Sequence, residues 1–141
     1  MKPYRIMLMV LVIFTGTSHA NVTSPMHLLN IDEFKNIAHK YDKFRSGQPN
    51  AISKTELQSY VEFIGMQYIL ITKIADNSKN NELVLPKLNL CINTNNSDTV
   101  DPEKIVDGVT NFFIEFTKRD VEVGNFFPLI AAATSVEHPC Q

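Results

Sequence analysis

The chain has 141 residues, with 13 Lys and Arg against 15 Asp and Glu, a formal charge of −2 and an apolar content of 44%. No basic cluster is longer than Lys118-Arg119, so the cationic stripe that neutralises phosphates is missing and nucleic acid is excluded as a partner. Past an N-terminal leader about 120 residues remain, enough for one domain with one hydrophobic core and too few for two ordinary ones.

Residues 1–20 read as a cleavable signal peptide. Lys2 and Arg5 give the positive start, Ile6 to Thr15 is nearly all apolar, and Ser18-His19-Ala20 ends on a small residue, which places cleavage between Ala20 and Asn21. The apolar run is shorter than the roughly 20 residues needed to cross a bilayer and breaks at Thr15, Gly16 and Thr17, with a retained N-terminal anchor as the alternative. Loss of Lys2 and Arg5 takes the formal charge from −2 to −4, leaving residues 21–141 as a mildly acidic, exported domain, periplasmic or secreted. Later in the chain, Val61 to Ile74 is interrupted by Glu62, Gln67, Thr72 and Lys73, so no membrane contact is expected after cleavage.

From Asn30 the pattern turns helical. Phe34, Ile37, Ala38, Tyr41 and Phe44 fall near one face, Asn30 is placed as N-cap and Glu33 to reach back to it, and Gly47, Pro49 and Asn50 stop the helix by Ser46. Ser53-Lys54-Thr55-Glu56 forms a second capping box, starting a long helix to about Ala75. Its wide apolar stripe, from Leu57 through Val61, Ile64 and Tyr68 to Ile71, predicts a well-covered element, and Gly65 suggests a close helix crossing there.

Asp76 to Asn81 is turn-like. Leu83 to Cys91 alternates in part and admits a short extended segment, but Pro86 makes it a poor central strand. Asp101-Pro102-Glu103 then starts a third helix, with Asp as N-cap and Pro at the first helical position. Ile105, Val106, Val109, Phe112, Phe113 and Phe116 form its apolar face, the phenylalanines being expected as core, and Lys118-Arg119 close its last turn. Asp120 to Asn125 leads to a final helix from about Phe127 or Pro128 to Val136, stopped by His138-Pro139. The expected fold is all-α, a small single-domain bundle of four to five helices.

An exported chain meets an oxidising compartment, so Cys91 and Cys140 are expected to form one disulfide, with a free thiol or an intermolecular bridge as the alternatives. A cross-link spanning about 50 residues stabilises by roughly 3 to 4 kcal/mol in the chain-entropy model.

Chemistry is sparse. His27, His39 and His138 belong to no recognised metal-binding motif, and there is no HExxH, CxxC, glycine-rich phosphate loop or GxSxG elbow. Asp42 to Ser53 resembles a calcium loop only until counted, because Phe44 falls on the second ligand position and Ser53 on the twelfth, where a bidentate Glu belongs. Asn21-Val22-Thr23 and Asn95-Asn96-Ser97 match the glycosylation sequon, which matters only in a eukaryotic secretory pathway. The sequence therefore predicts no catalytic residue, no metal and no cofactor.

Several pieces, in order, resemble a known family. They are Tyr60-Val61-Glu62-Phe63-Ile64-Gly65-Met66 on a helix, Leu88-Asn89-Leu90-Cys91, the Pro102 helix with Ile105, Val106 and Val109, and Ala131-Ala132-Ala133 through Pro139-Cys140. Over roughly residues 57 to 140 the chain resembles the Rap/Tai immunity proteins of type VI secretion systems. It departs at Ser59 and at Cys91-Ile92-Asn93, where members often carry Cys and Cys-Leu-Pro. The resemblance implies a periplasmic helical protein, not an enzyme, that binds and inhibits a protein toxin, typically a peptidoglycan amidase, and it admits a homodimer.

Within that reading, the turn carrying Arg119, Asp120, Glu122 and Asn125 is the expected contact, being polar, short and held between two helices. A periplasmic acid or stress chaperone with a single disulfide is the alternative function, and a small exported enzyme a third.

Overall fold

Two capping boxes set where the N-terminal helices begin. In the computed structural model, which describes residues 28–95 and 100–141, Asn30 Oδ1 accepts the Asp32 and Glu33 amides while Glu33 accepts the Asn30 amide. This opens α1, Ile31–Arg45. Ser53 and Glu56 repeat the reciprocal pattern, Glu56 N–H donating to Ser53 Oγ and Ser53 N–H to the Glu56 carboxylate, to open α2, Lys54–Asp76. The predicted signal peptide, its cleavage point, His27 and the sequon at Asn21 lie outside the described residues, as do Asn96 and Ser97 of the second sequon.

The chain divides between Phe63 and Ile64 into two units, with α2 running through the division. In the first unit, Phe34 and Tyr41 of α1 sit against Tyr60 of α2 at ring-centroid distances of 5.4 and 5.5 Å, and all three are buried. Lys40 donates to Glu56, so one carboxylate both caps α2 and ties it to α1. The Lys40 ammonium beside Glu56, with the Ser53 amide, holds its carboxyl below the usual range.

The second unit, Ile64–Gln141, contains the rest of α2, a hairpin and two further helices. Strands β1, Glu82–Leu85, and β2, Leu90–Asn93, pair antiparallel in the register Glu82 to Asn93 through Leu85 to Leu90. Leu83 and Ile92 thus share one face, and Ile92 is fully buried. The all-α expectation is corrected here: the fold is mostly helical with one disulfide, and it adds a two-stranded sheet. Pro86 does not interrupt a strand. It opens the tight helical turn Pro86–Leu88 that joins the two strands, which Asn89 closes with a left-handed φ of 52°.

Asp101 accepts the Glu103 amide and Pro102 takes the first helical position of α3, Pro102–Lys118. Helix α4, Phe127–Glu137, packs on α3 and on β2. Gly108 makes the first contact close: a Cβ there would lie 3.1 Å from Ala133 Cβ. Gly108 thus marks a small-residue crossing that the sequence reading did not single out, and Gly65 of α2 is itself buried. On α3, Phe113 is fully buried, whereas Phe112 and Phe116 are half-buried and stack on each other.

Cys91 of β2 and Cys140 are bonded, with Cα atoms 5.6 Å apart across a sequence separation of 49. Replacing Cys140 by Ser is expected to lower stability by about 3 kcal/mol. Urea unfolding of the oxidised wild type and the variant measures this, and an unchanged midpoint would show the bond to be idle.

Candidate functional site

The turn between α3 and α4 is short, polar and fastened at both ends. Arg119 ends α3, its amide donating to the Phe116 carbonyl and the Asp120 amide to the Thr117 carbonyl, and its guanidinium pairs with Glu115 at 2.7 Å. The chain then reverses at Asp120, whose φ of 56° lies in the left-handed region that Asp tolerates better than most side chains. Val121 N–H donates back to Phe116 O at 3.1 Å. Val123 is buried, and Asn125 Oδ1 accepts the Phe127 amide at 2.9 Å at the start of α4.

Of the four residues expected from sequence, Asp120 and Glu122 are exposed, Arg119 is exposed but ion-paired on its own helix, and Asn125 is exposed while serving the α4 start. The residue that sequence reasoning missed is Val121, an apolar side chain 49% exposed between two acids. A signal was present. Val121 and Val123 alternate across Glu122, and in an extended stretch only one of such a pair faces the core.

A second cluster surrounds His138, which is only 4% exposed. Its Nε2 lies 2.7 Å from the Tyr68 hydroxyl of α2, and the two rings stack with centroids 5.8 Å apart. Its main chain is also engaged, N–H donating to Thr134 O of α4 and C=O accepting the Asn93 amide of β2. Pro139 then forms an antiparallel bridge with Ile92. Burial pushes the His138 imidazole below its ordinary value, while Glu137 and Asp76 pull the other way. Burial, with the same two carboxylates, pushes the Tyr68 phenol up.

Glu33 and Glu56 share a recess of about 230 Å³, but each serves a helix cap, and Glu56 also holds Lys40. Glu82, Cys91 and Cys140 are the grouping of metal-type ligands among the described residues, and its two sulfurs are bonded to each other. Between α3 and α4 an open groove of about 460 Å³ runs past Lys104, Asp107, Asn111, Phe112 and Val136. Beside it, the Glu103 carboxyl is raised by burial and then by Asp107 and Asp101. His39 is on the exposed side of α1. No helix among the described residues is long and apolar enough to cross a membrane.

No family model, curated protein or solved structure matches this chain.

The fastening of the turn is testable. Asn125→Ala removes the acceptor for the Phe127 amide and is expected to cost about 1 kcal/mol in chemical unfolding. A variant as stable as wild type would mean that α4 starts without this bond.

Proposed function

We propose that this chain is a periplasmic immunity protein, an inhibitor that binds a secreted cell-wall hydrolase, probing its cleft with the Arg119 to Asn125 turn. The observation that carries the reading is the fastened turn itself. Its ends are set by Val121 N–H on Phe116 O, by buried Val123 and by Asn125 at the α4 start, while Val121 stands exposed between Asp120 and Glu122. An apolar side chain ringed by charge on a stiff loop has the make-up of an interface anchor, because little conformational freedom is lost when it is buried. The acidic flanks favour encounter with a basic cleft rim. Such a protein needs no catalytic groups of its own, and the family resemblance over residues 57 to 140 points to the same activity.

The test uses the product of the reading frame beside this gene, which under this reading is a cell-wall hydrolase. The purified chain is expected to co-purify with it and to suppress its lysis of cell walls; unimpeded lysis at molar excess would overturn the reading. Val121→Asp is expected to weaken inhibition at least about 30-fold, the scale of a 2 kcal/mol anchor, with no shift in unfolding midpoint. Full inhibition by that variant would remove the turn from the interface.

A second reading, a periplasmic acid or stress chaperone, is favoured by one observation. Ile69, Leu70 and Ile74 of α2 are 38%, 48% and 53% exposed, two of them adjacent and the third one turn further on, an apolar patch open to clients. Under this reading the protein suppresses aggregation of unfolded clients at low pH and gives no protection against the toxin. Under the inhibitor reading light scattering of the clients is unchanged.

A further inference from the structure

The four residues His138 to Gln141 form a strap that leaves α4 and lies along β2. It is held by three kinds of contact: the Asn93 to His138 main-chain bond with the Ile92–Pro139 bridge, the His138 side chain on Tyr68, and the Cys91–Cys140 bond. Only one of these depends on a proton in the range a periplasm experiences. We propose that the Tyr68–His138 pair is an acid-operated latch, which holds the strap on the hairpin while the ring is neutral and releases it from β2 when the ring is doubly protonated, the disulfide keeping it tethered for reclosure.

The proton inventory supports this. A neutral imidazole carries one proton and accepts at its other nitrogen; the latch assigns the accepting role to Nε2, 2.7 Å from the Tyr68 hydroxyl, which donates its phenolic proton there. A second proton occupies Nε2 and turns it into a donor. Tyr68 must then reverse its hydroxyl and find another acceptor, and a cation is left at a position 4% exposed.

The groups facing the ring are Tyr68 and Asp76 from α2 and Glu137 from α4; β2 contributes Cys91, which is bonded and does not titrate, and Asn93, which is neutral. The carboxylates and the C-terminal end of α4 favour the cation, but burial outweighs them. The folded protein therefore binds this proton less readily than the unfolded chain. The latch contributes fully above the ordinary histidine value of 6.5, and its contribution is lost as pH falls below it. Detachment removes the Pro139 partner of Ile92 and the acceptor of the Asn93 amide.

The test uses the full oxidised chain. His138 ring resonances are followed from about pH 7.5 to pH 4.5, together with amide exchange at Asn93 and Val109, corrected for intrinsic rates. The expected result is a His138 midpoint below 6.5, with Asn93 protection falling at least about ten-fold across it while Val109, inside α3, stays protected. A midpoint at or above 6.5, unchanged Asn93 protection, or equal loss at Val109 would each overturn the latch. His138→Gln should make Asn93 protection independent of pH, and a wild-type profile would overturn the proposal. Should that variant fail to fold, Tyr68→Phe serves: Asn93 protection already reduced at neutral pH supports the latch, and an unaltered profile overturns it.

Discussion

Burial of His138 against Tyr68 is the contact on which the geometry of the second unit rests. Helix α4 has no acidic residue in its first turn, no basic residue in its last and a sequence dominated by small and apolar residues, so little in it alone fixes its rotation or its end. The His138 side chain reaches α2, its carbonyl takes the β2 amide, and the next residues bridge to Ile92 and bond to Cys91. With its C-terminal end held this way, α4 presents Ala133 to Gly108 at a separation that admits no side chain larger than hydrogen without adjustment. The fastened turn that precedes α4 then has a fixed frame on both sides. A polar contact thus positions an apolar interface, and that interface positions the candidate binding loop.

Helix ends were legible because their chemistry is local. Asn30 with Glu33, Ser53 with Glu56, and Asp101 with Pro102 each announce a start within three residues, and the structure places the starts there. The hairpin was legible only in part. Its strands are four residues long, Pro86 argued against them, and what stabilises them is distant: Ile92 is buried and the β2 edge is occupied by a segment more than 40 residues further on. Local propensity carries no record of that pairing. The same distance hid His138. In sequence it is a residue before proline that stops a helix, and its burial depends on Tyr68, 70 positions earlier.

The candidate site divides along the same line. That a polar turn joins two helices could be read from Asp120, Glu122 and Asn125, but which of its residues are committed internally could not. Arg119 is drawn back to Glu115 by an i, i+4 pairing on its own helix, and Asn125 is drawn forward to Phe127. Val121 stays exposed because Val123 takes the buried place. The activity proposed for this turn would leave a weak trace in sequence: a catalytic site needs particular functional groups, whereas a stiff loop needs its main chain held, and main-chain bonds leave composition almost unchanged.

The bridge from Ile92 to Pro139 also closes a door. A two-stranded sheet has open edges whose unpaired amides and carbonyls can recruit strands from other molecules. Along β2 that edge is occupied by the chain's own strap, and the strap's bridging residue, Pro139, has no amide proton to offer a further strand. Beyond β1, the chain turns immediately into Pro86. The growth of the sheet by recruitment is thus stopped at the β2 side by the same few residues that hold the terminal helix in place.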